Sequence, residues 1–268
     1  MLITPKEAAL RTPRDASGRA HIVGLSGGKD STALASRLQQ VQPDTPFTFF
    51  CTPTGDELPS MTAHWARLES RFSPAPFFHL QAKDRKTGGF VSLNSLIKGF
   101  GSLPNWRQRW CTRILKIQPA EAYMRILQLN GPVTMYVGLR ADEATRQGLY
   151  AEDLDVQFPL RDWKWGLDEV LGHLAEQELI IPARTDCGRC LYQRLVEWKI
   201  LSEEHPDIYE DAIKQEDSTG HTFRSPGRDT WAADLRTLRK EFRSGRKVRG
   251  EDKFREAREA GACRVCSL

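Results

Sequence analysis

A glycine-rich octapeptide, Gly24-Leu25-Ser26-Gly27-Gly28-Lys29-Asp30-Ser31, constrains what this chain can fold into more than any other segment. It follows a short apolar run, His21-Ile22-Val23, and precedes a helical pattern from Thr32 to Leu38. Strand, tight turn and helix in that order aim backbone N–H groups and a helix N-terminus at one point, which makes an anion site. Gly27 and Gly28 let the backbone approach a phosphate with no Cβ in the way. Ser26 and Ser31 add hydroxyl donors, and Lys29 adds a cation. The string is not a Walker A loop. That pattern needs glycine where Val23 stands and serine or threonine where Asp30 stands.

The rest of the chain supplies the sheet this turn requires. Residues 47–52 and 77–80 read as buried strands, and 135–139 as another, each a continuous apolar run. Helical patterns cover 29–40, 60–71 and 112–129, with Pro119 as a kink or break in the last, and a short helix fits 93–98. Residues 1–20 read as a loose or short helical lead-in, and 83–109 as basic, glycine-rich loop. Alternating strands and helices predict an α/β fold, a doubly wound parallel sheet, whose ligands bind beyond the carboxyl ends of the strands. Three clusters fall at such ends: the glycine turn, Gly55-Asp56-Glu57, and Arg140-Ala141-Asp142-Glu143. From 186 onward the character changes to helical, charged and cysteine-bearing, with helical spacing over 194–216 broken at Pro206 and an amphipathic stretch over 231–242. The expected division is a nucleotide-binding unit over 1–185 and a C-terminal region over 186–268.

Net charge is only +4 over 268 residues, so composition alone does not demand a polyanionic partner. The distribution is uneven. Ten lysines and arginines fall between Arg236 and Arg258, interleaved with Glu241, Glu251, Asp252 and Glu256 and followed by Glu259, so the tail reads equally as a phosphate-tracking surface or as a solvated helix face. No run approaches a membrane span, and the first residues lack the basic start and apolar stretch of a secretory signal, which places the protein in the cytoplasm by expectation. Six cysteines there point to metal or redox chemistry before disulfides. Cys187-Gly188-Arg189-Cys190 has metal-ligand spacing, for which zinc and iron–sulfur both remain open. Cys51 lies in an apolar strand and reads as core. Asp30, Asp56 and Asp142 near phosphates make sense with a hard cation between them, which points to Mg²⁺.

The S-G-G-K-D-S string is similar to the PP-loop of the adenine nucleotide alpha-hydrolases. With Thr54-Gly55-Asp56-Glu57, Arg109-Trp110-Cys111-Thr112, Lys116, Pro119, Val137 to Glu143 with Arg146, and Phe158-Pro159-Leu160-Arg161-Asp162-Trp163, the chain resembles the phosphoadenosine-phosphosulfate reductase family over roughly residues 20–200. Its W-C-T-x-x-L-K-x-x-P arrangement and the Cys-x-x-Cys before Glu197-Trp198 resemble the branch of DNA phosphorothioation ATP pyrophosphatases and their phage relatives. The resemblance implies that Ser26, Gly27, Gly28, Lys29, Asp30 and Ser31 hold the phosphates. Gly55, Asp56 and Gly138 would line the nucleotide, with Asp56 near the ribose or Mg²⁺. Arg140 and Arg146 would face its anionic end, with Asp142 also in the nucleotide site. It also implies a [4Fe–4S] cluster on Cys111, Cys187 and Cys190, the fourth position being Cys263, Cys266 or an open iron. Lys29, Asp30, Asp56 and Arg140 are the expected catalytic groups, with Cys263 or Cys266 as a tail thiol.

Three functions follow from the resemblance. The first is sulfur transfer: ATP with Mg²⁺ adenylates an acceptor, with nucleic acid as a candidate. Sulfur then arrives from a donor protein such as a cysteine desulfurase. The second is reduction of adenylyl sulfate or its 3′-phosphorylated form to sulfite with a thiol reductant. Against it, Ala262-Cys263-Arg264-Val265-Cys266 departs from the Glu-Cys-Gly-Leu-His setting of those reductases. The third is a non-catalytic, nucleotide-sensing iron–sulfur module.

Overall fold

The structure, a computed structural model, describes residues 2–84, 86–143, 145 and 154–259, with side chains up to residue 256. Arg146, Cys263 and Cys266 lie outside the described residues. Among the described residues six strands form one sheet: β1 (Leu2–Ile3), β2 (Ala20–Gly24), β3 (Phe47–Cys51), β4 (Phe77–Leu80), β5 (Val133–Tyr136) and β6 (Asp155–Gln157). Their spatial order is β1-β4-β3-β2-β5-β6 and every pairing is parallel. His21 stands opposite Phe47 on one side and Thr134 on the other, which puts β2 at the centre. The chain works outward from β2 through β3 to β4, then returns to β5. The strand order therefore reverses between β2 and β5, where doubly wound sheets open a ligand crevice.

Strands covered on both faces need apolar side chains at successive positions. Along β3, Phe49 packs with Leu34, Leu38 and Trp65, while Phe50 packs on the other face with Tyr123 and Leu127. The first face is covered by α2 (Lys29–Val41), α3 (Pro59–Arg71) and α8 (Leu167–Glu176). The second carries α1 (Pro5–Leu10) and α6 (Gln118–Gln128).

The structure departs from the sequence expectation in four places. The lead-in contains β1 and a capped helix α1, in which Thr4 accepts from the Glu7 N–H and Glu7 accepts from the Thr4 N–H. A two-residue strand is too short to show alternation. β5 ends at Tyr136, because Gly138 turns in against the backbone of Asp30 and Ser31. β6 is three residues long, and its exposed Asp155 and Gln157 hide it from an apolar-run reading. The helix carrying Pro119 begins earlier, at α5 (Trp110–Thr112). It passes through a π turn (Arg113–Ile117), in which the Gln118 N–H reaches the Arg113 carbonyl, before entering α6 with proline in its first turn. The π turn closes just before Pro119, which has no N–H to continue an i→i−4 ladder there.

The C-terminal region builds a further core. α9 (Leu195–Glu204), α10 (Pro206–Thr219) and α11 (Leu235–Arg243) gather Trp198, Tyr209, Leu238 and Phe242, and this cluster packs on Leu93 and Ile97 of α4 (Leu93–Phe100), on Leu115 and on Leu58. α12 (Glu251–Glu259) follows. The cysteine pair thereby lies against the loops at the carboxyl ends of the strands.

Candidate nucleotide and cysteine site

The glycine turn connects β2 to α2 as its residues dictate. Gly27 has φ +88°, and a Cβ there would come within 2.3 Å of Met61 Cε and 2.9 Å of Trp65 Nε1. α3 pins the turn from below: Trp65 Nε1 donates to the Ser26 carbonyl at 2.9 Å, and His64 Nε2 lies 3.1 Å from the Gly27 carbonyl. Two successive carbonyls are thus held into the protein, which leaves the N–H groups for the crevice side. Burial lowers His64 to about 4, so the ring is neutral at physiological pH. Ser26 and Ser31 hydroxyls meet at 3.1 Å across the turn. Lys29 is buried, its Nζ 3.4 Å from Asp30 Oδ2.

The loop after β5 closes against this helix start. Arg140 is buried and divides its guanidinium between Asp30 Oδ1 at 3.0 Å and Asp142 Oδ1 at 2.8 Å, with Glu143 at 3.7 Å. The hydrogen bond from Arg140 holds the Asp142 carboxyl below the usual range. Arg161, from the Pro-Leu-Arg-Asp-Trp string, donates to the Glu143 carbonyl at 2.9 Å and braces the loop. Arg140, expected at a nucleotide's anionic end, therefore spends its fork on the acids beside the turn.

Asp56 is also committed. Its carboxylate accepts the Arg189 N–H at 2.9 Å and Nε at 2.6 Å, with Nη2 as a third donor, and its carbonyl accepts the Gly188 N–H. Glu57 folds the loop on itself, accepting from the Thr54 N–H at 2.6 Å and the Gly55 N–H at 3.0 Å, and Gly55 supplies φ +73°. Each acid expected beside a hard cation thus has an arginine partner.

Two hollows meet here. The first is a crevice at the carboxyl ends of β2 and β3, lined by Gly24, Ser26, Thr52, Glu57 and Trp65 and reaching Lys116, Thr185 and Cys187. The second, of about 130 Å³, holds Cys111, Cys187 and Cys190 in its wall with Lys116, Thr185, Arg109 and Arg189. Lys116, Thr185 and Cys187 line both. Burial works against the Lys116 ammonium, but Cys187, Cys190, Glu57 and Cys111 outweigh it and raise its pKa. The three cysteines named as ligands do share one cavity. Within it, the hydrogen bond between Cys187 and Cys190 raises the former well above the ordinary thiol range and lowers the latter, while burial raises Cys111. Among the described residues, no group of three or more Cys, His, Asp or Glu side chains stands close enough together to hold a metal ion. The donors suit a thiophilic metal, but their arrangement here does not make its cage.

The phosphoadenosine phosphosulfate reductase domain model matches residues 20–179, well over half the chain. The chain belongs to that family. It is thus a nucleotide-utilising PP-loop family enzyme with the reductase-type domain. The crystal structure of phosphoadenylyl-sulfate (PAPS) reductase from Candida auris, a phosphate complex, is similar at 17% identity, covering 67% of this chain and 81% of that one with a TM-score of 0.42. No curated protein matches the chain.

In the basic tail, four of the nine lysines and arginines with described side chains are ion-paired. Arg236 meets Asp217, Arg239 meets Glu210, Arg246 meets Glu241, and Arg255 meets Glu203 and Glu251. No helix among the described residues is long and apolar enough to cross a membrane. Sequence reasoning gave no role to Arg189, Thr185 or Glu57. The signal for Arg189 was its place between two cysteines, but only the fold brings it to Asp56.

Proposed function

We propose that this PP-loop enzyme transfers sulfur to an acceptor that it first adenylates, with residues 1–185 binding ATP and 186–268 supplying thiols. The observation that carries the reading is the shared wall: Lys116, Thr185 and Cys187 line both the PP-loop crevice and the cysteine cavity. A nucleotide whose phosphates rest on Ser26 to Ser31 would present its reacting end to Lys116 and Cys187. Mg²⁺ would enter as part of the MgATP substrate.

In this reading an acceptor oxygen attacks the α-phosphorus, a P–O bond forms, and pyrophosphate leaves with the electron pair of the bond that breaks. Lys29 and Lys116 would neutralise charge on the phosphates as it moves. A cysteine persulfide then attacks the activated acceptor atom through its outer sulfur and AMP leaves. The neighbouring thiol of the Cys187–Cys190 pair attacks the inner sulfur, which frees the thiolated acceptor and leaves a disulfide for a dithiol reductant to reopen. Nucleic acid is the first acceptor to assay. An iron–sulfur cluster would need Cys111 drawn onto the pair and a fourth ligand, with Cys263 and Cys266 the sequence's candidates, so no step is routed through one.

The test assays pyrophosphate from ATP and sulfite from adenylyl sulfates in parallel with the full chain. Acceptor-dependent pyrophosphate is expected, and Lys29→Ala should lose about 2–4 kcal/mol of transition-state stabilisation. Sulfite alone would make the protein a sulfonucleotide reductase. Tight nucleotide binding with neither product would make it a sensor.

A further inference from the structure

The cysteine cavity is richer in cations than its thiols require. Arg109, Lys116 and Arg189 line it. Arg109 rests over the Tyr192 ring at 5.1 Å, and neither it nor Lys116 has a carboxylate within salt-bridge distance among the described residues. The acids nearby are already engaged: Asp56 by Arg189, Asp186, itself in the wall, by Arg184 at 2.8 Å, and Glu57 by the Thr54 and Gly55 N–H groups. Arg189 is 5% exposed and is locked by Asp56 and by Asn94 Oδ1 at 2.8 Å, yet its Nη1 is buried with no hydrogen-bond partner. An orphaned guanidinium N–H of this kind is costly unless something fills it. The volume of about 130 Å³ is several times what one water needs.

A cavity that combines an excess of fixed cations with adjacent thiols suits one class of small molecule, a sulfane sulfur carried on a sulfonate. We propose that the cysteine cavity binds thiosulfate-type donors, with the sulfonate oxygens on Arg189 and Lys116 and the sulfane sulfur at the Cys187–Cys190 pair. This rests on the sulfur-transfer reading and names its donor. A thiolate of the Cys187–Cys190 pair attacks the sulfane sulfur, a Cys–S–S bond forms, and the S–S bond of the donor breaks. Sulfite leaves with the bonding pair, and the outer sulfur remains on the enzyme as a persulfide. No outside electrons are needed. Arginine is the residue for the task, because its planar fork can stay on Asp56 while another N–H addresses the oxyanion.

The experiment uses the full chain, purified anaerobically, with iron and free thiols counted on the same preparation. Nucleotide-free protein is mixed with sodium thiosulfate, and sulfite release and cysteine persulfide (by mass spectrometry) are followed. Stoichiometric sulfite and one persulfide per chain are expected, and the double variant Cys187→Ser, Cys190→Ser should abolish both. Arg189→Lys keeps a charge for Asp56 but loses the fork. It should slow loading from thiosulfate about tenfold, the worth of one charged hydrogen bond, while loading from inorganic disulfide, which has no sulfonate, stays near the wild-type rate. No sulfite from wild-type protein would overturn the proposal, as would equal slowing with both donors or a cavity whose thiols are all held by iron. Because these assays contain no nucleotide, the sulfur-transfer reading can fail separately. It does so if persulfide-loaded protein releases no pyrophosphate from ATP with any acceptor.

Discussion

At Gly27 the chain leaves β2 with φ +88°, and Met61, His64 and Trp65 crowd the space a side chain would need. Gly27→Ala should therefore cost about 1–3 kcal/mol of stability through strain and overpacking, seen as a lower urea midpoint, and weaken ATP binding in a titration. Wild-type values for both would mean the turn is not held as described. Asp56 makes a different kind of prediction. Removing it leaves Arg189 charged and buried, so Asp56→Ala should destabilise the protein by about 3–5 kcal/mol, measured in the same unfolding series. A change below about 1 kcal/mol, the range of exposed pairs, would contradict the buried pairing. The glycine turn was legible because its residues act locally: a φ that only glycine tolerates and a helix that starts at once. The Asp56–Arg189 pair was not, because no local rule relates a strand-end aspartate to an arginine far along the chain.

Among the helices, α10 and α11 are joined through one carboxyl group. Glu216 accepts the Phe223 N–H at 2.9 Å and the Leu235 N–H at 2.7 Å. Burial pushes its pKa from 4.5 up to about 7, against the pull of those two bonds. The folded protein therefore binds this proton more tightly than the unfolded chain. The contribution is fully present below pH 4.5 and is lost as pH rises through 7, on the order of 2–3 kcal/mol. His64 and His79, each lowered to about 4 by burial, act the other way and lose stability as pH falls below 6.5. The difference between wild type and Glu216→Gln isolates the carboxyl. Their gap should change by that amount between pH 4.5 and 7 whatever the variant's absolute stability, and a pH-independent gap would remove Glu216 from the account. At this scale the sequence disclosed α2, α3 and the break before α10, where helical periodicity and Pro206 agree. It concealed β6, too short and polar for a pattern, and the π turn, a detail of backbone hydrogen bonding.

For the molecule as a whole, the arrangement that matters is the lodging of the C-terminal helices on the strand-end loops, so that Cys187 lines both the PP-loop crevice and the cysteine cavity. Alternating strands and helices predicted a crevice beyond the strand ends, where the structure has one, and the spacing of Cys187 and Cys190 singled out the two thiols that line the neighbouring cavity. That the two hollows share Lys116, Thr185 and Cys187 depends on long-range packing around Leu58, Leu115 and Trp198, which no window of sequence contains. The direct test of that junction is the rate at which iodoacetamide alkylates Cys187, followed by peptide mass spectrometry with and without saturating ATP. A nucleotide on the PP-loop should slow alkylation of Cys187 several-fold, and the protection should disappear in Lys29→Ala at the same ATP concentration. Unchanged alkylation of Cys187 in wild-type protein shown by titration to have bound ATP would contradict the account.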